Sequence, residues 1–150
     1  MNRSLLTAAL AASLLLAASA VPAGAHNGVD DEPHHGGVVT AYRDMHFELA
    51  AKPTGAIEIY FSDAMGEPLP ASAVSQVAVE IEHPGKKTEY VDMRIDPTGV
   101  FWTGTGAPLA DAGSVLHVGF FAKGKSALAD VKGAAVIAAA KKGPEHHHGH

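Results

Sequence analysis

The sequence predicts an all-β fold: an immunoglobulin-like antiparallel β-sandwich of six or seven short strands, with histidine-rich ends that lack structure. Three observations predict it. Apolar and polar residues alternate with period two in segment after segment, as in strands with one buried and one wet face. Proline and glycine fall together between those segments, where β-turns want them. The segments recur at spacings of roughly 10 to 15 residues, the rhythm of a sandwich.

In chain order, residues 1–25 read as a secretory signal peptide. Arg3 supplies a basic start, Leu5 to Leu16 an apolar stretch, and Ala23-Gly24-Ala25 a small-residue cleavage pattern. Its removal leaves about 125 residues, enough for one domain and its core but not for two. No later apolar run approaches the roughly 18 residues of a membrane span. Residues 26–37 (HNGVDDEPHHGG) mix acids, histidines and glycines without apolar periodicity and read as an extended, mobile leader.

The sandwich is expected over residues 38–142. Its strands place Met45, Phe47 and Leu49 inward, then Ile57, Ile59 and Phe61, then Val77, Val79 and Ile81, then Val91, Met93 and Ile95. Turns fall at Lys52–Gly55, Asp63–Pro70, His83–Lys86 and Asp96–Gly99. Further strands are expected at Val100–Thr105 and Ser114–Lys123, the second with His117 outward. The Ala-rich stretch 134–142 suits either helix or strand, and we read it as a closing strand. Residues 143–150 form a His-rich tail.

Composition narrows the chemistry. Without Arg3, ten cations face 16 acids, a net charge of −6 with neutral histidines. Such a chain is a poor partner for nucleic acid or an anionic membrane surface. Cysteine is absent, so a disulfide, a thiolate metal site or a cysteine nucleophile is excluded. All ten histidines follow the expected cleavage site. This excess is what a function must explain.

Three groups of residues could hold a cation. His34-His35-Gly36-Gly37 supplies two imidazoles and two residues free to turn. Asp44, His46 and Glu48 then alternate onto one face of the first predicted core strand. Neighbours two apart on a strand are about 6.5–7 Å from each other, so they converge only by leaning inward. Imidazole and carboxylate without thiolate suit Zn²⁺, Cu²⁺ or Ni²⁺; an ordinary solvated strand face would show the same alternation.

The second group is the new N-terminus. Cleavage after Ala25 lets the amine and imidazole of His26 chelate one ion. Cleavage after Ala23 puts His26 third, the arrangement for a square-planar Cu²⁺ or Ni²⁺ site, and cleavage after Ala20 removes both. The third group is the tract His146, His147, His148 and His150, a composition that binds divalent transition metals loosely. His83 reads as an exposed turn residue, Met45 and Met93 as core filling, and Trp102 as a core or sheet-face aromatic.

The run His34-His35-Gly36-Gly37-Val38-Val39, followed by Met45-His46-Phe47-Glu48-Leu49 and by Ile57 to Asp63 with the turn Gly66-Glu67-Pro68, resembles a family of small exported bacterial proteins. Similar domains accompany heavy-metal efflux systems and their periplasmic adaptor subunits. The likeness spans roughly residues 33–121. It implies an immunoglobulin-like sandwich in the periplasm, tied to copper or zinc handling, with His34, His35, His46 and Glu48 as the motif positions.

The expected function is therefore a periplasmic Cu²⁺- or Zn²⁺-binding protein acting as buffer, chaperone or accessory of metal efflux. The alternative is an interaction module that docks onto an efflux or envelope component, with its histidines incidental. An enzyme is not expected, for the chain has no Gly-x-Ser-x-Gly elbow, no His-Glu-x-x-His helix and no phosphate loop.

Overall fold

Alternation of this kind buries one face of each strand, and two such sheets bury those faces against each other. The computed structural model describes residues 32–143 and has that architecture, two antiparallel sheets that share one core. The expected signal peptide 1–25, His26 with the expected leader up to residue 31, and the tail histidines His146, His147, His148 and His150 lie outside the described residues. Among the described residues no helix is long and apolar enough to cross a membrane.

The first sheet runs β1 (Val38–Tyr42), β2 (Met45–Ala51), β3 (Ala56–Asp63), β8 (Trp102–Thr105), β7 (Arg94–Ile95), and the short β4 (Pro68–Leu69) pairs with the far end of β3. The second runs β10 (Lys125–Lys132), β9 (Val115–Ala122), β5 (Val74–Glu82), β6 (Glu89–Val91). Phe47, Leu49, Ile59 and Phe61 of the first sheet share the core with Val79, Ile81, Leu116 and Val118 of the second. Phe120 joins the halves, its ring edge-on to Phe47 at 5.8 Å and near-perpendicular to Phe61 at 5.3 Å. Trp102 is buried with them, and its indole N–H donates to the Ala71 carbonyl at 3.0 Å.

All four turns predicted from Pro and Gly close with a backbone hydrogen bond. Gly55 donates to Lys52, Gly66 to Asp63, Lys86 to His83 and Gly99 to Asp96, at 2.9 to 3.1 Å. Three expectations are corrected. Residues 91–95 are not one strand: Val91 ends β6 in the second sheet, Asp92 and Met93 cross over, and Arg94–Ile95 forms β7 in the first. Strand β10 has no counterpart in the sequence reading. It follows the two-residue turn Lys123-Gly124 and buries Ala127 and Val131, side chains small enough that their alternation is easily overlooked.

The third correction is residues 134–142, which form a helix, α1 (Gly133–Lys142), and not a closing strand. Five alanines give helix propensity no opposition, and Lys141 and Lys142 sit in the last turn, where cations favour the helix dipole. Its anchors are few. Val136 is fully buried, and the Gly133 N–H donates to the Ser114 carbonyl at 2.8 Å, so closely that a Cβ at Gly133 would meet that oxygen at 2.7 Å. Val136→Ala is expected to cost about 2 kcal/mol of unfolding free energy in urea denaturation. Ala140→Ser, on the exposed side, should cost about 0.5 kcal/mol or less.

Candidate functional site

The site is built around one carboxylate. Glu48 lies on the face of β2 turned away from Phe47 and Leu49, between Val39 of β1 and Tyr60 of β3 in register. That face is expected to be wet, yet Glu48 is only 6% exposed and His46 only 7%. Over Glu48 the cause is the preceding segment. Residues 34–37 fold over the strand, and their donors converge on the carboxylate. The His35 N–H donates to Oε1 at 2.8 Å and the Gly37 N–H to the same oxygen at 2.9 Å. The His34 N–H donates to Oε2 at 3.0 Å, and the His35 Nδ1 lies 2.8 Å from Oε2.

The two glycines follow from this geometry. Gly36 has φ +74°, a left-handed backbone that glycine adopts without strain. A Cβ at Gly37 would sit 2.4 Å from the Leu49 carbonyl oxygen, inside the backbone of β2. The Gly36-Gly37 pair thus lets the chain lie close against β2 with three backbone N–H groups pointing at Glu48. Burial alone would raise the Glu48 pKa. Hydrogen bonds from the His35 side chain and from the backbone of His35, Gly37 and His34 outweigh it and hold the carboxyl below its ordinary value of 4.5.

The same contacts fix the His35 ring. A carboxylate only accepts, so Nδ1 carries the proton and Nε2 keeps its lone pair in the neutral ring. The ring stacks on Tyr60, centroids 3.5 Å apart and planes 6° from parallel, and Tyr60 in turn meets Phe101 at 4.9 Å. The Tyr60 hydroxyl donates to Glu58 at 2.9 Å, and burial with that bond raises its pKa strongly. Beside this stack lies a cleft of about 190 Å³, lined among others by Glu32, His34, His35, Glu48, Tyr60 and Val100.

Of the residues singled out by sequence, His34, His35 and Glu48 come together. His46 stays buried on β2, opposite Ala41 and Ser62, outside the residues that line the cleft. Asp44 lies in the turn before β2 and pairs with Lys123. Among the described residues no group of three or more histidine, aspartate or glutamate side chains is placed to hold a metal ion. Tyr60 and Phe101 were not legible as site residues, although Tyr60 alternates onto the same face as Glu48.

Two other histidines are held by carboxylates. His83, expected as an exposed turn residue, is instead largely buried, its Nε2 3.0 Å from Glu89 and its Nδ1 3.2 Å from Ser114 Oγ. Glu89 also accepts from the Ala107 N–H at 2.7 Å, so His83 ties the β5–β6 turn to the segment after β8. His117 faces outward as expected and bridges three strands, with Nδ1 2.7 Å from Asp130 on β10 and Nε2 3.3 Å from Glu82 on β5.

Comparison with protein-family models, with curated proteins and with solved structures gives no match. The geometry above therefore carries the functional reading.

Two expectations follow. Glu48→Ala leaves the N–H groups of residues 34, 35 and 37 without their acceptor and should cost about 2–4 kcal/mol in chemical denaturation. Because the Glu48 pKa is lowered on folding, that stabilisation is present above the ordinary value of 4.5 and is lost as pH falls through the folded value. His117 behaves oppositely. The bond to Asp130 first, then that to Glu82, raises its pKa above 6.5. Its contribution is full below pH 6.5 and fades as pH rises through the folded value, so the stability gap between wild type and His117→Gln should be about 1 kcal/mol or less and should close with rising pH.

Proposed function

We propose that this protein binds a transition-metal cation, Cu²⁺ or Zn²⁺, as cargo through His35, acting in the periplasm as a buffer, chaperone or accessory of metal efflux. The observation that carries the reading is the His35 Nδ1–Glu48 contact at 2.8 Å on a ring already stacked against Tyr60. A histidine that ligates a metal commonly donates its other ring nitrogen to a carboxylate, which fixes the tautomer and makes the ligating nitrogen more basic. Glu48 is then a positioning residue and not a ligand. Its lone pairs are engaged by four donors.

In this reading His35 supplies the oriented nitrogen and His34 an adjacent imidazole at the mouth of the cleft. The remaining ligands are assigned to His26 and to His146, His147, His148 and His150. A neutral imidazole is required at each, so protons compete with the ion and uptake should fall on acidification.

The test is calorimetric titration of the processed protein with Cu²⁺ and Zn²⁺ at pH 7, repeated on variants that retain the wild-type NMR dispersion. His35→Ala should weaken the tightest site at least tenfold, and Glu48→Gln should weaken it about 10- to 100-fold. Removing residues 144–150 should reduce the number of weakly held ions. Absence of binding heat for either ion, or full affinity in His35→Ala, would overturn the proposal.

A further inference from the structure

At the opposite end of β2 from Ala51 two hairpin tips meet. One is the turn Arg43–Asp44 between β1 and β2; the other is Lys123–Gly124 between β9 and β10. They are joined by an ion pair between Lys123 and Asp44. Between and beneath them lies a pocket of about 160 Å³. Its floor is apolar, with Met45, Phe120 and Ala127 all buried core residues. Its rim is cationic: Arg43, Lys123 and Lys125 all line it, with Asp44 as the single acid.

Three features set this pocket apart from the rest of the surface. The chain has 16 acidic residues against 11 lysines and arginines, yet three of those 11 border one small cavity. Arg43 at φ +57° and Lys123 at φ +50° are the described non-glycine residues with a left-handed backbone. Glycine or asparagine would occupy such turn positions with less strain, and strain retained in a turn is a reason to look for a role for its side chain. The Arg43 guanidinium, moreover, lies 5.6 Å from the Tyr42 ring centroid, a cation–π contact that keeps it beside the turn.

We propose that this pocket binds a small organic carboxylate with an apolar body. The ligand's carboxylate takes the place of Asp44 on Lys123, with Lys125 and Arg43 completing the cationic rim. Its hydrocarbon part rests on Met45, Phe120 and Ala127. Asp44 serves as a built-in stand-in for the ligand carboxylate, and binding is an exchange of one carboxylate for another. The volume sets the size: a cavity near 150 Å³ holds a body no larger than one benzene ring. The pocket shares no lining residue with the His35 cleft, so the inference is independent of metal binding.

The test is a ¹H–¹⁵N NMR titration of the full processed chain with benzoate, alongside benzyl alcohol as the uncharged analogue of the same size. The expected result is saturable shifts confined to the amides of residues 42–45 and 120–127, with benzyl alcohol at least tenfold weaker. Asp44→Asn, which removes the internal competitor, should bind benzoate at least threefold more tightly. The double variant Lys123→Gln with Lys125→Gln should bind it at least tenfold more weakly. All three side chains are on exposed residues, and preserved amide dispersion in the variants checks the fold. Shifts that spread over the surface without saturating, equal affinity for benzyl alcohol, or undiminished affinity in the double variant would each overturn the proposal.

Discussion

The constraint on which the described site depends is the burial of one carboxylate. A charged Glu48 at 6% exposure is tolerable only if its oxygens are satisfied. The chain solves this by bringing its own preceding residues back over the strand. Backbone N–H groups of residues 34, 35 and 37 and the His35 ring all point to Glu48. Once that is so, much of the rest follows: Gly37 must lack a Cβ, Gly36 turns left-handed, and the His35 ring is set down flat on Tyr60. A histidine segment that composition marks as mobile becomes an ordered edge of the sandwich.

How far this was legible in the sequence depends on the distance between partners. Alternation in 45–49, 57–61, 77–81 and 116–120 locates the inward faces correctly, because the direction of each side chain is set by its own strand. The four Pro/Gly turns are local in the same sense. Alternation also says that Glu48 faces away from the core, but not that residues 34–37 will cover it; that needs a contact across 11 to 14 positions. His83 was misread for the same reason, since the Ser114 hydroxyl that engages it is 31 residues away. The crossover at Asp92–Met93 escapes because Val91, Met93 and Ile95 alternate in sequence straight through it, although Ile95, expected inward, is exposed in β7. Residues 134–142 escape because alanine carries little facial pattern, so propensity decides, and it favours helix.

Histidine excess, read as one signal, separates in the structure into different chemistries. His83 and His117 have both ring nitrogens facing carboxylate or hydroxyl partners and act as ties between strands. His46 is buried beside the clasp. His35 differs from them in that its Nδ1 meets the buried Glu48 while its ring lies stacked on Tyr60 beside a cleft. Sequence counts could not draw that distinction, because it lies in partners far along the chain. At the far end of β2 the turn residues show the complementary case: Asp44, on paper a third ligand for the Glu48 face, belongs to a cationic pocket at the hairpin tips.

The clasp can be observed directly by long-range ¹H–¹⁵N correlation of the histidine rings at pH 7.5, combined with hydrogen exchange of the leader amides. With residues 34–37 held on Glu48, the His35 ring carries its proton on Nδ1 and the amide protons of His35 and Gly37 are protected to a degree comparable with β2. A ring protonated on Nε2, together with exchange of those amides at the rate of an open chain, would contradict this arrangement.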